Sequence, residues 1–212
     1  MNPAATPEAG GARLSAILDG LPHAVAGDRI SFGDLVDGFG RRAYAPLIVL
    51  FAAPNMLPVA LPGISAALGA PLILLTGQMM LGRPRPWLPG VLRRRSLARS
   101  SFESLVARLL PRLRRIEGWM APRMAGVTGF LGTRLVGALG LMLALIVTLP
   151  VPFGNAVPGL ALVVMSVGLG GRDGLAVLAG GLIGVAGLAI ASGFVYGALV
   201  AGLALARAGI GV

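Results

Sequence analysis

Charged residues are absent from three long stretches of this chain, and this constrains its fold more than any other feature. The stretches run from Leu47 to Leu81, from Leu135 to Gly171 and from residue 174 to residue 206, which is 35, 37 and 33 residues. About 20 apolar residues are enough for a helix to cross a bilayer. Because backbone groups in lipid must be hydrogen-bonded internally, the stretches predict an all-α, polytopic membrane protein.

The composition agrees with a membrane protein and excludes several other classes. Only 12% of the 212 residues are charged, 56% are hydrophobic and the mean hydropathy is +0.85, whereas a soluble domain is about a quarter charged. All 18 basic residues are Arg and the net charge is +10. These arginines flank apolar stretches, which favours membrane lipids with anionic headgroups as partners and argues against nucleic acid. The absence of Cys excludes disulfides and thiolate chemistry.

Proline clusters interrupt the first two uncharged stretches. As one straight helix, Leu47–Leu81 would be about 50 Å long, against a hydrocarbon core of about 30 Å, and it contains the run Pro54-Asn55-Met56-Leu57-Pro58. Proline removes a backbone donor and clashes with the preceding turn. We therefore predict two helical hairpins, at about residues 43–82 and 134–171, each either a pair of short spans or re-entrant. The second also contains an Asn-x-x-Pro centre, Asn155–Pro158, which indicates an internal duplication.

An Arg-rich segment, residues 83–123, separates the two predicted hairpins. It contains 11 of the arginines, opposed only by Glu103 and Glu117, and the positive-inside rule places it in the cytoplasm together with the N-terminus. A capping box at Ser100–Glu103 predicts the start of a helix. Seven apolar residues then follow helical spacing along one face, namely Phe102, Leu105, Val106, Leu109, Leu113, Ile116 and Met120.

This pattern is typical of a basic amphipathic helix lying on a membrane surface. Tryptophan side chains favour the headgroup level, and both tryptophans flank or end this helix. The residues expected at the membrane surface are Arg93, Arg94, Arg95, Arg108, Arg112, Arg115, Trp87 and Trp119.

Shorter patterns complete the predicted organisation. Residues 13–21 have one apolar helical face, which should lie on the membrane or on the rest of the protein. A second capping box, Ser31–Asp34, predicts a helix whose apolar stripe is Phe32, Leu35, Val36 and Phe39. We divide the chain into a tail with a short helix (1–30), one transmembrane domain (31–206) and a second tail (207–212). Residues 1–12 lack the features of a signal peptide.

The third uncharged stretch, residues 174–206, is rich in glycine. Its motifs Gly180-x-x-x-Gly184 and Gly193-x-x-x-Gly197 are of the kind that lets membrane helices approach closely. The stretch forms either one steeply tilted helix or a tight hairpin near Gly187. The small size of the chain and its few polar residues are compatible with a homo-oligomer.

Several of these motifs resemble one known family. Asn55-x-x-Pro58 with Pro62-Gly63, the run Leu81–Pro89, and the run Pro150–Pro158 with Arg172-Asp173-Gly174 resemble the ExoD family, bacterial membrane proteins named for exopolysaccharide synthesis. The resemblance extends from Ser31 to Tyr196. It implies a part in exopolysaccharide synthesis at the bacterial inner membrane, and it supplies no catalytic residues to transfer.

Asp, Glu, His, Lys and Arg are missing inside the apolar stretches, so general acid–base catalysis there has no candidate group that titrates near neutral pH. We expect no enzyme activity, no cofactor and no metal. A helix that starts after a break in the membrane presents a positive dipole end suited to an anion. The leading hypothesis is a transporter or lipid translocase that binds an anionic, lipid-linked precursor at the two Asn-x-x-Pro motifs. The candidate binding residues are Asn55, Pro58, Gln78, Asn155, Pro158, Arg41, Arg42, Arg83 and Arg134.

The structural alternatives stay open at this point. Asn55 and Asn155 could simply cap helices, and Gln78 could make a hydrogen bond between helices. The alternative function is a non-catalytic accessory protein that packs against the polysaccharide synthesis or export machinery. A translocase predicts a water-accessible cavity reaching both asparagines. An accessory protein predicts that both are buried and fully hydrogen-bonded, beside an exposed glycine-lined face.

Overall fold

The computed structural model describes residues 14–24, 27–40, 43–56, 64–148 and 155–210. The protein is mostly helical. Two three-residue strands and a 3-10 turn, Ala53–Met56, accompany the helices. The elements are α1 (Leu14–Ala24), β1 (Arg29–Ser31), α2 (Phe32–Phe39), α3 (Tyr44–Ala52), α4 (Ile64–Met80), α5 (Gly90–Arg93), β2 (Ser96–Ala98), α6 (Arg99–Gly118), α7 (Phe130–Thr148), α8 (Ala156–Gly170) and α9 (Gly174–Ile210).

A small antiparallel sheet departs from the predicted all-α class. β1 pairs with β2, with Arg29 opposite Ala98 and Ser31 opposite Ser96. Strands of three residues are too short to show the alternation by which a sequence reveals a strand. The sheet joins the segment between α1 and α2 to the beginning of α6.

One predicted capping box is confirmed and the other is wrong. Ser31 caps α2, because its hydroxyl accepts from the Asp34 amide and the Asp34 carboxylate accepts from the Ser31 amide. The predicted stripe of α2 is buried. By contrast, α6 begins at Arg99, after Ala98, which has no capping side chain. The sheet decides this start, since the Arg99 amide donates to the Asp28 carbonyl at 2.9 Å.

The apolar stripe of α6 faces the protein and not the membrane. Phe102, Val106 and Leu113 are buried in the core, and α6 packs against α1, whose Leu14 and Leu18 are buried with them. The stripe is therefore covered by α1, and contact of α6 with a membrane surface stays a prediction. A membrane could meet α6 only through its arginine-bearing face. The predicted stripe itself is correct, and α6 continues through Pro111.

The apolar helices form a bundle in which glycines set the closest approaches. A Cβ added to Gly137 of α7 would lie 2.4 Å from the Met80 amide nitrogen of α4, and one added to Gly180 of α9 would lie 2.7 Å from the Met165 amide nitrogen of α8. Real Cβ atoms do not come this close, so only glycine allows these helix pairs. α3 packs against both α4 and α8.

The bundle has two distinct ends. At the charged end, Gly170 of α8 lies near Ala45 of α3, and Gly174 of α9 lies near Met124, just before α7; the Arg-rich segment begins and ends here. At the break end, Gly69 of α4 meets Thr148 of α7. Each of the first two uncharged stretches thus leaves the charged end and returns to it.

The third uncharged stretch is one helix. α9 is continuous over 37 residues, so the alternative of a hairpin near Gly187 is wrong. Gly187 instead packs against Val157 and Pro158 of α8. Beyond Gly187 the helix extends by about 35 Å at 1.5 Å per residue. The predicted duplication stays a prediction, since α3 has 9 residues where α7 has 19.

Among the described residues, two helices are long and apolar enough to cross a membrane by length and composition, Phe130–Thr148 and Gly174–Phe194. Both expose large apolar side chains over much of their length, which water-soluble monomers rarely do. The most exposed of these side chains on α7 and α9 are Phe130, Leu131, Leu135, Leu182, Ile190 and Tyr196.

Candidate functional site

Asn55 lies in the 3-10 turn that follows α3, and its side chain is hydrogen-bonded to the end of α3. Its Nδ2 donates to the Phe51 carbonyl at 2.9 Å, and the side chain is 7% exposed. The last carbonyls of a helix lack helical donors. Asn55 therefore satisfies one carbonyl in the last turn of α3.

Asn155 plays the same part at the second break. It is the residue before α8, yet its side chain does not cap that helix. Its backbone is helical, with φ −84° and ψ −15°, whereas a capping residue is usually extended. Its Nδ2 donates instead to the Val147 carbonyl at 3.1 Å, in the last turn of α7. The interpretation of Asn155 as a helix cap is therefore wrong.

The two breaks are neighbours in space. The 3-10 turn that carries Asn55 packs against α8, the helix that begins after Asn155. Pro158 does not precede α8 as predicted but lies in its first turn, where proline is tolerated because no helical donor is needed. It is buried, and its nitrogen lies 3.4 Å from a Cβ built at Gly187. Pro58 falls outside the described residues.

α9 gives an axial scale for the depth of the second break. Pro158 lies beside Gly187, which is 13 residues after the first residue of α9, Gly174. At 1.5 Å per residue, the break lies about 20 Å from the charged end of α9.

The Gln78 side chain is hydrogen-bonded to a loop at the charged end. Its Nε2 donates to the Trp87 carbonyl and its Oε1 accepts from the Trp87 amide, both at 2.7 Å. This pairing fixes the segment after α4 against the last turn of that helix. The expected hydrogen bond between helices is therefore a bond to a loop, and Gln78 lies at the opposite end of the bundle from the breaks.

The described arginines of the predicted site also lie at the charged end. Arg134 donates from Nε to the Met80 carbonyl at 3.0 Å, and its guanidinium lies 5.3 Å from the centre of the Phe130 ring. A cation on the last carbonyls of a helix stabilises the helix dipole. Arg83 is exposed nearby, and Arg41 and Arg42 fall outside the described residues. The predicted site is thus divided between the two ends.

Asp173, in the turn between α8 and α9, is buried and only 2% exposed. Its Oδ1 accepts from the amides of Leu175 and Ala176 at 3.0 and 3.3 Å, and its Oδ2 accepts from the Ala121 amide at 3.1 Å and from Arg123 Nε at 3.3 Å. Burial raises the pKa of this carboxyl, but these hydrogen bonds and the Arg123 charge outweigh burial and hold the pKa below its usual value. Asp173 therefore joins the start of α9 to the segment before α7.

The sequence did contain a signal for Asp173. An Asp immediately before a long apolar helix is a typical N-cap, and it belongs to the run Arg172-Asp173-Gly174. Its second role, the contact with Ala121 and Arg123, lies about 50 residues away in the chain and has no local pattern.

A second buried carboxylate pins α1 to α6. Glu117 is 8% exposed and accepts from both the amide and the hydroxyl of Ser15, with the amide at 3.0 Å. Beside it, Arg114 pairs with Asp19 at 2.7 Å. Ser15 and Glu117 are 102 residues apart in the chain, so their contact could not be predicted from the sequence.

The residues predicted for the membrane surface are exposed. The two tryptophans are 56% and 79% exposed at positions 87 and 119. Arg93 pairs with Asp37, and contact of this surface with headgroups stays a prediction. The other exposed members are Arg94, Arg95, Arg108, Arg112 and Arg115. Within the described ranges, no three His, Asp or Glu side chains converge where a metal ion could bind.

Comparison with known proteins places this architecture in a family. Residues 14–193 match the family described as "Exopolysaccharide synthesis, ExoD". The chain belongs to the ExoD family. It is 28% identical over 201 residues to Protein ExoD of Rhizobium meliloti, covering 92% of this chain and 82% of that protein. It is 29% identical over 135 residues to an uncharacterised protein of Synechocystis sp., covering 63% of this chain and 64% of that one. No solved structure shows a significant match.

The ExoD match includes both breaks and the Asp173 turn. It ends at residue 193, so most of the part of α9 that extends beyond the bundle lies outside it.

Proposed function

We propose that this ExoD-family chain is a multi-pass protein of the bacterial inner membrane that serves exopolysaccharide synthesis as a non-catalytic accessory protein. Its charged end lies in the cytoplasm, as the positive-inside rule expects of an Arg-rich end. The exposed apolar surfaces of α7 and α9 contact lipid.

The depth of the second break supports a re-entrant arrangement. The break lies about 20 Å from the charged end of α9, whereas the hydrocarbon core is about 30 Å thick. With the charged end at the cytoplasmic interface, α8 begins inside the bilayer and does not reach the opposite surface. Irregular backbone at such depth is tolerated only where it is buried in protein or lines a cavity.

The observation that carries the accessory role is the use of the two break asparagines. Both are buried, and both amide groups donate to carbonyls in the last turn of the preceding helix. They stabilise the breaks from within, which is the arrangement expected of an accessory protein. Contact with the polysaccharide synthesis or export machinery then falls to the exposed arginines of α6 and to the outer part of α9.

A translocase is the second candidate, and one observation favours it. The first turn of α8 is not capped by the Asn155 side chain, and it starts beside the turn that carries Asn55. A helix N-terminus inside the bilayer would attract an anionic, lipid-linked precursor.

Thiol labelling distinguishes the two functions, because the chain has no native Cys. Single Cys residues are placed beside the breaks, Ala53→Cys and Ala156→Cys, and treated with a small membrane-impermeant thiol reagent. Arg108→Cys is the exposed control and should react fully in opened membranes. The accessory role predicts no reaction at positions 53 and 156. Reaction at both would reveal a water-filled path and replace the accessory role with the translocase.

A complementation experiment tests the same choice in cells. Asn155→Ala should lower exopolysaccharide only as far as it lowers the amount of protein, because its role is structural. Reversing charges on the exposed face of α6, by Arg108→Glu with Arg112→Glu, should lower exopolysaccharide at an unchanged protein level. The accessory role fails if the charge reversal is silent while Asn155→Ala abolishes synthesis at normal protein level.

A further inference from the structure

The proline-containing run Leu81–Pro89 leaves α4 at the charged end and folds back along that helix. Gly82, with φ 75°, ends α4 in a left-handed turn, and its amide donates to the Met79 carbonyl at 3.0 Å. Such a turn reverses the chain at the end of a helix. Gln78 then accepts from the Trp87 amide and donates to the Trp87 carbonyl. The run is therefore tied to α4 both at its start and near its end.

The packing of α4 on α7 gives the depth of Trp87. Gly137 of α7 meets Met80 of α4, and the two helices run in opposite directions, so Gln78 lies level with α7 about two residues beyond Gly137. Arg134 is the one charged residue of α7 and lies three residues before Gly137. The Trp87 backbone is thus about 7 Å farther from the charged end than Arg134, at 1.5 Å per residue.

This depth corresponds to the inner edge of the headgroup layer. Each headgroup layer of a bilayer is about 5–8 Å thick. With Arg134 among the headgroups, as the proposed membrane placement has it, the Trp87 backbone lies at the boundary between headgroups and hydrocarbon. Tryptophan side chains prefer this level, and the Trp87 side chain is exposed there.

The outward side of the run carries cations beside this ring. Arg85 and Trp87 are exposed, whereas Pro86 between them is buried, and Arg83 is exposed as well. Neither arginine forms an ion pair with an acidic side chain of the described residues, and residues 81–102 contain no Asp or Glu. Three prolines restrict the backbone of the run, so its outward side is preorganised.

Charge and depth together favour an anionic lipid headgroup as the occupant. Guanidinium groups bind phosphate through charge-assisted, often bidentate hydrogen bonds. Arg134 adds a third exposed cation beside the run, because its Cδ lies 3.7 Å from a Cβ built at Gly82. An acidic protein in the cytoplasm would meet the arginines only, whereas a lipid also meets the ring of Trp87.

We propose that the run Leu81–Pro89 is an interfacial anchor that binds the phosphate of anionic lipids in the cytoplasmic leaflet through Arg83 and Arg85, with Trp87 at the edge of the hydrocarbon core. Gln78 is the positioning residue of this anchor, because it holds the Trp87 backbone at that depth. The inference rests on the membrane placement proposed above and not on the accessory role.

Fluorescence quenching measures the depth of Trp87. The chain has two tryptophans, so Trp119→Phe leaves Trp87 as the reporter in vesicles of phosphatidylglycerol and phosphatidylcholine. Lipids brominated near the headgroup end of the acyl chain should quench its emission, and aqueous iodide should quench it little. Gln78→Leu in the same background should weaken quenching by lipid and strengthen quenching by iodide. Quenching by iodide alone in the parent, or no change in Gln78→Leu, overturns the proposal.

A probe on α7 separates this anchor from the membrane placement. Met142 is 59% exposed on α7, and Met142→Trp in a chain without the native tryptophans should be quenched by brominated lipid if α7 crosses the bilayer. Quenching of this probe without quenching of Trp87 overturns the anchor and leaves the placement standing. Absence of quenching at both positions refutes the placement and the anchor together.

Lipid co-purification tests the two arginines. From vesicles with equal amounts of phosphatidylglycerol and phosphatidylcholine, the protein extracted in mild detergent should retain mainly phosphatidylglycerol. Arg83→Ala with Arg85→Ala should lower this preference about fivefold or more, since one arginine near a membrane surface contributes about that factor. Arg108→Ala with Arg112→Ala removes the same charge from the exposed face of α6 and is the matched control.

The comparison of the two double variants decides the outcome. Equal losses would indicate general attraction of anionic lipid to a chain of net charge +10 and would overturn the proposal, as would an unchanged preference in the first variant. Neither measurement depends on exopolysaccharide, so failure of the anchor alone leaves the accessory role standing.

Discussion

Replacing Asp173 should destabilise the protein more than replacing any exposed acidic residue. Its two carboxylate oxygens serve different elements: Oδ1 accepts from the first amides of α9, and Oδ2 accepts from Ala121 and Arg123. In Asp173→Ala, three backbone amides lose their acceptor. At about 1 kcal/mol each, the low end for a donor left unsatisfied, the variant should lose about 3 kcal/mol of unfolding free energy.

Asp173→Asn should cost less, because asparagine is an equally good N-cap. It keeps an oxygen for the start of α9 and loses the acceptor and the charge on the side of Ala121 and Arg123. Since Arg123 is half exposed and stays solvated, the expected cost is about 1–2 kcal/mol. The exposed control is Asp19→Ala, whose pair with Arg114 should contribute less than about 1 kcal/mol.

Equilibrium unfolding in mixed micelles, followed by tryptophan fluorescence, measures the unfolding free energy of all three variants. Trp119 is a suitable reporter because it lies two residues before Ala121. The order Asp173→Ala, then Asp173→Asn, then Asp19→Ala is expected for the loss of stability. The reasoning is refuted if Asp173→Ala costs no more than the Asp19 control, since the buried hydrogen bonds would then contribute nothing.

The same carboxyl predicts how stability depends on pH. Its pKa is lower in the folded protein than its ordinary value of 3.8. The stabilisation it provides is therefore complete above about pH 4 and is lost as the pH falls through the folded pKa. Asp173→Asn, which cannot titrate, should remove this part of the acid sensitivity, and identical acid profiles for the variant and the parent would contradict it.

Three further variants test other contacts by the same unfolding measurement. Gly137→Ala should cost about 1–3 kcal/mol, because its Cβ would collide with backbone of α4, whereas Gly77→Ala, whose nearest neighbour is at 3.9 Å, should be tolerated; equal costs would contradict the packing. Gln78→Leu should release the backbone at Trp87 and make residues 83–89 sensitive to protease, and unchanged protection would show that the pairing is dispensable. Glu117→Ala should free α1 and cost about 1–3 kcal/mol, so a silent variant would contradict the buried contact.

Local patterns predicted the helices well where local interactions decide them. The capping box at Ser31 is satisfied within four residues and sets the start of α2. The box at Ser100 failed because strand pairing with Arg29–Ser31, about 70 residues away, fixes the start of α6 earlier in the chain. The apolar stripe of α6 was identified correctly, but a sequence cannot distinguish a stripe covered by lipid from one covered by α1.

The candidate site shows the same limit. The sequence singled out both asparagines, but their hydrogen-bond partners depend on how the preceding helix ends. The predicted site includes Gln78 as a polar residue and Arg134 as a flanking cation, but the bundle places both at the end opposite the asparagines. The contacts of Asp173 with Ala121 and Arg123 join distant segments, and no local pattern reveals them.

The polar side chains in and next to the apolar helices make hydrogen bonds of short range along the chain. Four of them donate to carbonyls no more than eight residues away in the chain. These local hydrogen bonds remove the free-energy cost of burying the donor. Contacts between distant segments instead concentrate at the charged end, where Glu117, Asp173 and Arg134 each join elements 50 or more residues apart. The asparagines are thus used for local hydrogen bonds, and the polar contacts between distant described segments lie at the charged end. The four side chains are Asn55, Thr76, Thr148 and Asn155.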